Sequence, residues 1–335
     1  MMNKKIWIKA AAICLAFCLL AVPAAADYGT IALGGMPFGV KFYAEGVVVI
    51  GFSEVETEDG VRSPAYEAGL RVNDVITHVD GRAIATARDF SDSLRGHAVE
   101  VTYRRDGSER RATLIPAQSS EDGRRLAGMW LRDTMAGIGT VTYILPESGD
   151  FAGLGHGICD AETGELIPME RGTVVDVTIT GIRKGQPGIP GELKGSFLGK
   201  KTGALIGNTE WGVFGVFALC DPESCTPVEI GARDEIRPGR ASIVCTLDEN
   251  GPREYEICIS DIDRKSRDNR SFTITVTDAE LLEKTGGIVQ GMSGSPILQN
   301  GKLVGAVTHV LVSDPGEGYG IFIENMLENM QSLFG

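Results

Sequence analysis

From residue 174 onward the chain is a succession of short β-type segments separated by turn signals, with almost no helical period. Residues 174–182, 204–208, 211–218, 241–247, 254–262 and 272–276 read as strands, and Asn208, Pro222, Asn250-Gly251 and Asp314-Pro315-Gly316 punctuate them. That density of strands, with so little helical period between them, argues for an all-β architecture. The expectation is an all-β, barrel-like domain over residues 126–335. Helices are expected only at 280–283 and 323–333, the latter with Ile323, Met326, Leu327 and Met330 on one face.

One stretch of this domain carries chemistry. Residues 286–310 read GGIVQGMSGSPILQNGKLVGAVTHV, centred on Gly291-Met292-Ser293-Gly294-Ser295-Pro296. Small neighbours let the backbone turn sharply at Ser293 and let a substrate carbonyl approach both its hydroxyl and the backbone N–H groups of Gly291 and Ser293. Asn300-Gly301 is a two-residue hairpin signal, so the serine precedes a β-hairpin whose returning strand is 302–310. An α/β-hydrolase elbow would instead need G-x-S-x-G between a strand and a helix. The pattern resembles the G-x-S-G-G-P and following hairpin of chymotrypsin-like double-barrel peptidases, with Ser295 replacing the second glycine. A Gly/Ser-rich turn without chemistry carries the same letters, so a base elsewhere must decide.

Only four histidines are present. His78 and His97 fall in an N-terminal module and read as structural. His156 lies between Gly155 and Gly157, on a turn or strand edge from which a ring can enter a cleft, and it precedes the serine as the base does in the chymotrypsin order. His309 alternates with Val307 along a strand and is the lesser candidate. Asp278 ends an alternating segment fifteen residues before Ser293 (293 minus 278). An aspartate before Ala-Glu-Leu-Leu-Glu equally reads as a helix N-cap. Asp160, Asp176, Asp221, Asp261 and Asp263 compete for the role of orienting acid, and spacing does not choose among them.

Residues 33–116 form a first module. Residues 47–52, 99–103 and 110–115 read as strands and 87–94 as a short amphipathic helix. Between them, residues 63–81 read SPAYEAGLRVNDVITHVDG, which resembles the signature of bacterial-protease PDZ domains. Its carboxylate-binding loop is expected at Gly34, Gly35, Met36, Pro37, Phe38 and Gly39. Val40, Lys41 and Phe42 are expected to be the strand edge where a peptide adds. The polar residues 117–125, AQSSEDGRR, read as a mobile linker.

Three blocks together are similar to the family of stage IV sporulation protein B (SpoIVB) serine peptidases: LGHGICDAETG at 154–164, residues 275–327, and the PDZ module before them. The likeness spans essentially the whole chain after its first segment. It implies Ser293 as nucleophile, His156 as general base and Asp278 as acid, with no metal or cofactor. Cys159 stands where the family commonly has a serine. The resemblance further implies a serine endopeptidase exported across the cytoplasmic membrane, into the space between forespore and mother cell. Its implied substrates are a membrane-associated regulator of an intramembrane protease and its own N-terminal region. The competing reading is a catalytically inactive PDZ-containing adaptor or assembly protein, which should have lost the serine or the histidine.

Residues 1–26 have the layout of a targeting segment: Lys4, Lys5 and Lys9, an apolar run, then Ala24-Ala25-Ala26 before Asp27. A cleaved signal peptide and a membrane anchor both fit. The net charge of −13 argues against a nucleic-acid partner. Five cysteines after the segment are too few for a disulfide scaffold. Cys220 and Cys225 form the single close pair.

Overall fold

The computed structural model describes residues 31–334, except 97, 160–163, 165, 168 and 220–224. The expected targeting segment, His97, Asp160, Asp221 and Cys220 lie outside the described residues.

Two rings of antiparallel strands make up the peptidase part. In the first, strand Met129–Ile144 pairs with Pro37–Phe52, which pairs with Met169–Arg183. The ladder continues through Glu192–Thr209, Gly212–Phe217 and Asp150–Gly153, and returns to Met129–Ile144. The second ring runs Gly239–Thr246, Pro252–Ser260, Phe272–Val276, Asp314–Phe322, Lys302–Leu311, Pro296–Gln299 and back to Gly239–Thr246. Each ring is a closed six-stranded barrel, the double-barrel fold expected from the sequence, and closure leaves no strand edge inside either ring. The turn chemistry is as expected. Asn300 and Gly301 both take positive φ (54° and 78°) between Pro296–Gln299 and Lys302–Leu311, as a two-residue type I′ connection requires.

Each barrel has its own apolar filling, Phe38, Val141, Phe151 and Val213 in the first and Ile243, Ile257, Phe272 and Ile274 in the second. A third cluster joins them: Tyr143, Ala152 and Phe214 from the first barrel meet Leu303, Ala306 and Ile321 from the second. Helix Ile323–Phe334 closes this seam by burying Ile323, Met326, Leu327 and Met330, the face read from its period. Each such side chain contributes about 1.5–3 kcal/mol when fully buried, so the seam fixes the cleft between the barrels. Strands Ile31–Leu33 and Pro227–Ile230 also bridge the halves, pairing with each other, with Met129–Ile144 and, in parallel, with Lys302–Leu311.

The PDZ unit is nested inside the first barrel. Strands Pro37–Phe52 and Met129–Ile144 run out of the barrel side by side, pairing from Pro37↔Thr140 to Phe52↔Met129, and between their far ends the PDZ unit folds. Its sheet runs from residues 129–132 through 46–52 and Val75–Val79 to Val99–Arg105 and Ser108–Leu114. Val47, Val49, Leu70, Ile76, Phe90 and Val101 fill its core. Helix Ala87–Ser93 starts with a capping box between Thr86 and Asp89.

Three expectations need correction. Residues 33–44, assigned to the PDZ module, belong to the barrel. The PDZ sheet in turn borrows residues 129–132 from beyond its expected end. Residues 117–125 do not form an open linker: Arg125–Leu126 pairs with Ala117–Gln118, and the Ser119 N–H donates to the Arg124 carbonyl.

Candidate active site

Ser293 sits on the turn that leads into strand Pro296–Gln299 of the second barrel, and His156 follows strand Asp150–Gly153 of the first. The seam brings both to one cavity of about 480 Å³, together with His309, Gly291, Gln290 and an apolar wall that includes Ile138, Leu154 and Ile158. The turn around Ser293 accepts no bulk. Gly294 has φ +92°, and a Cβ there would lie 2.0 Å from the Thr140 carbonyl oxygen and 2.3 Å from the Leu154 nitrogen. Leu154 itself is held left-handed at φ 67°, a strained backbone beside the site.

The His156 ring is fixed by a hydrogen bond between Nδ1 and the Gly157 carbonyl at 2.8 Å. A carbonyl can only accept, so Nδ1 carries the proton and Nε2 keeps a free lone pair. Burial pushes the His156 pKa below the ordinary histidine value, opposed by the Gly157 bond. The loop carrying the ring is clamped by Asn208, whose Oδ1 accepts from the Ile158 N–H and whose Nδ2 donates to the Ile158 and Ile167 carbonyls. Its ring neighbour is His309, with centroids 4.6 Å apart and planes tilted by 33°. His309 Nδ1 is buried without a partner among the described residues. Burial, then the positive charge that His156 and Arg270 can carry, hold the His309 pKa down at about 4.

Ser293 Oγ donates to the Thr308 carbonyl at 2.8 Å. Among the described residues, the N–H groups of Gly291 and Ser293 have no acceptor. Both groups sit in the stretch that lines the cavity.

Asp278 is not part of this arrangement. Its Oδ1 accepts from the Leu281 N–H at 2.9 Å, capping helix Ala279–Thr285, and its Oδ2 accepts from the Glu256 N–H at 3.3 Å. It lines a different cavity, with Arg240, Ser242, Glu254 and Tyr255. The capping alternative is the one realised, and the role of orienting acid expected for Asp278 is corrected accordingly. None of Asp176, Asp261 and Asp263 hydrogen-bonds His156 either; among the described residues its polar partner is the Gly157 carbonyl.

The expected peptide-binding segment also lies elsewhere. Val40 pairs with Gly137 on one side and Val174 on the other, and Phe42 pairs with Met135 and Gly172. With both edges taken inside a closed barrel, no peptide can add there. Gly34 and Gly35 donate to the Thr142 and Val141 carbonyls, and the Met36 carbonyl accepts from the Val141 N–H. Pro37 opens the barrel strand opposite Thr140, Phe38 packs edge-on against Phe151, and Gly39 leaves room for Phe197. These residues build the floor of the first barrel.

Sequence reasoning left three contributors unassigned. Thr140 and Thr142 hold the turn at residues 291–294 across more than 150 positions of sequence, and no local signal marks them. Asn208 read only as turn punctuation.

A nested PDZ unit, two closed barrels and a cleft shared by a glycine-flanked serine and a histidine define a serine peptidase of the double-barrel class. The sequence profile of SpoIVB peptidase S55 matches residues 123–327, and a PDZ domain profile matches residues 59–105. The chain therefore belongs to the SpoIVB peptidase S55 family, a family of serine endopeptidases. It is also similar to the serine protease Do-like HtrA of Lactococcus lactis subsp. lactis (strain IL1403), 38% identical over 63 residues. That match spans 18% of this chain and 15% of the relative's length. Among solved structures, it is similar to the HtrA-type protease AlgW with tripeptide (16% identity, 59% of this chain and 56% of that one, TM-score 0.35). The active form of the Rv3671c protease from M. tuberculosis is another (13% identity, 59% and 74%, TM-score 0.36).

Proposed function

We propose that this protein hydrolyses peptide bonds with Ser293 as nucleophile and His156 as general base. One observation carries the reading: Ser293 and His156 meet in a single cleft between the barrels, with the His156 Nδ1 proton committed to Gly157 and Nε2 free. For attack, the Ser293 hydroxyl turns from the Thr308 carbonyl toward His156 Nε2, which takes its proton as Oγ adds to the substrate carbonyl. The N–H groups of Gly291 and Ser293 receive the developing oxyanion. His156 then returns the proton to the leaving amine, and water releases the acyl group by the same route in reverse. The Gly157 carbonyl stands where many such sites have a carboxylate, keeping the tautomer without adding a negative charge.

Ser293→Ala should abolish hydrolysis of a quenched fluorescent peptide that the wild type cleaves, with an unchanged urea unfolding midpoint. Turnover retained by that variant would overturn the assignment.

Family membership supports a finer reading. The substrates are a membrane-anchored regulator of an intramembrane protease and the chain's own N-terminal region, cleaved during sporulation after export of residues 27–335 between forespore and mother cell. The PDZ unit receives a partner segment at residues 129–132, an edge of its sheet that runs beside helix Ala87–Ser93. Mass spectrometry of the N-terminus in wild type and Ser293→Ala tests the self-cleavage: an identical N-terminus in both would exclude it.

A further inference from the structure

Two backbone N–H groups can hold an oxyanion only if their peptide planes are fixed, and in this chain neighbouring hydroxyls supply much of that fixing. A peptide unit is planar and trans, so its N–H points opposite to the carbonyl of the residue before it. The Ser293 N–H shares a plane with the Met292 carbonyl, which accepts from the Ser295 N–H at 2.9 Å and from the Ser295 hydroxyl at 2.6 Å. The Gly291 N–H shares a plane with the Gln290 carbonyl, which accepts from the Leu193 N–H at 2.8 Å. Both carbonyls are therefore drawn away, and the two N–H groups are left without acceptors among the described residues.

The carbonyls between and after them are drawn toward one strand. Thr140 Oγ1 donates to the Gly291 carbonyl at 2.8 Å, the Thr140 N–H donates to the Ser293 carbonyl at 2.9 Å, and Thr142 Oγ1 donates to the Gly294 carbonyl at 2.8 Å. Thr140 and Thr142 are two residues apart on Met129–Ile144, so both side chains leave the same face. Both are buried, as is Ser295, so no water replaces these bonds.

We propose that Thr140, Thr142 and Ser295 are positioning residues that hold the turn at residues 291–294 in the one arrangement where the N–H groups of Gly291 and Ser293 both face the cleft. This rests on the assignment of Ser293 as nucleophile and extends it to the groups that stabilise the transition state. Ser295 thus has a use for its hydroxyl at the place where the chymotrypsin-like pattern carries glycine.

The test is Thr140→Val, which keeps shape and backbone but loses the hydroxyl, beside Thr140→Ser, which restores it, and Ser295→Ala. In the full exported chain, Thr140→Val should lower kcat by roughly 10- to 100-fold with KM nearly unchanged, since only transition-state stabilisation is lost. A peptidyl aldehyde, which forms the tetrahedral adduct, should bind Thr140→Val more weakly by a similar factor, and Thr140→Ser should recover most of both. Ser295→Ala should fall in the same direction by a smaller factor, because its N–H bond to the Met292 carbonyl remains. Wild-type kcat in Thr140→Val, or a loss that Thr140→Ser does not rescue, overturns the proposal. Activity surviving in Ser293→Ala would instead overturn the nucleophile assignment, so the two failures are distinct.

Discussion

Replacing Asp278 separates capping from catalysis, and the structure gives each role a different magnitude. As a cap, the carboxylate satisfies the Leu281 N–H at the start of helix Ala279–Thr285 and adds a second bond to the Glu256 N–H. Asparagine is as good an N-cap as aspartate, so Asp278→Asn keeps the Leu281 bond. It loses the charge beside the helix N-terminus, about 0.3–1 kcal/mol, and, because the amide nitrogen donates, the acceptor for the Glu256 N–H. Asp278→Ala loses the cap itself, about 0.5–2 kcal/mol, and leaves the Glu256 N–H without that acceptor for roughly 1 kcal/mol more. Were Asp278 the acid on His156, Asp278→Asn would leave stability alone and lower kcat by about 10⁴-fold, the loss that a wrong histidine tautomer causes in a Ser-His-Asp triad. Urea unfolding midpoints and saturating kcat on the same peptide substrate should therefore give near-normal turnover for Asp278→Asn and a lowered midpoint for Asp278→Ala. An Asn variant with a wild-type midpoint and kcat reduced by three or more orders of magnitude would refute the reasoning.

Other consequences are equally direct. In the proposed mechanism His156 acts as the neutral base and burial lowers its pKa, so the acid limb of kcat/KM should have its midpoint below the ordinary histidine value of 6.5; a midpoint above it would contradict the burial argument. For His309 the folded value of about 4 lies below the unfolded 6.5, so the unfolded chain binds more protons between them. The stabilisation is fully present above 6.5 and is lost as pH falls through about 4. Discounted for the ring's partial exposure, His309 should account for about 1–2 kcal/mol of the loss on acidification, and His309→Gln should show a flatter dependence of urea midpoint on pH. Gly294→Ala, which adds a methyl 2.0 Å from the Thr140 carbonyl oxygen at a positive φ, should lower the melting temperature sharply or prevent folding; a wild-type melting curve would show that the turn can shift.

What could be read from the sequence was what local letters determine. Asn300-Gly301 selects a two-residue turn whatever surrounds it, and the 3.6-residue period of Ile323, Met326, Leu327 and Met330 shows a buried face before its partner is known. Flanking glycines mark Ser293 and His156 as candidates, because close approach of backbone is itself a local requirement. The errors arose where pairing decides. A glycine-rich loop followed by alternating apolar residues has the same letters whether its strand is an open PDZ edge or a wall of a closed barrel. Only the ladders from Val40 to Gly137 and Val174 tell the two apart. Asp278 carries the same ambiguity, since both a cap and a catalytic acid need a carboxylate after a strand.

The nesting of the PDZ unit follows from the same point. An inserted unit needs only that its two ends lie side by side, and Val48 and Arg132, 84 positions apart (132 minus 48), are paired partners. Linear reading therefore sees a module and then a peptidase, although strand Ile31–Leu33 already pairs with the peptidase strands before the PDZ unit, and the peptidase resumes after that unit closes. The strand that resumes it, Met129–Ile144, begins as the edge of the PDZ sheet and ends by holding the turn at residues 291–294 through Thr140 and Thr142. A shift of that strand along its own axis cannot be absorbed by an adjacent free edge, because in the barrel both of its sides are paired. It would have to appear at the carbonyls of Gly291, Ser293 and Gly294, whose hydrogen bonds decide where the serine stands.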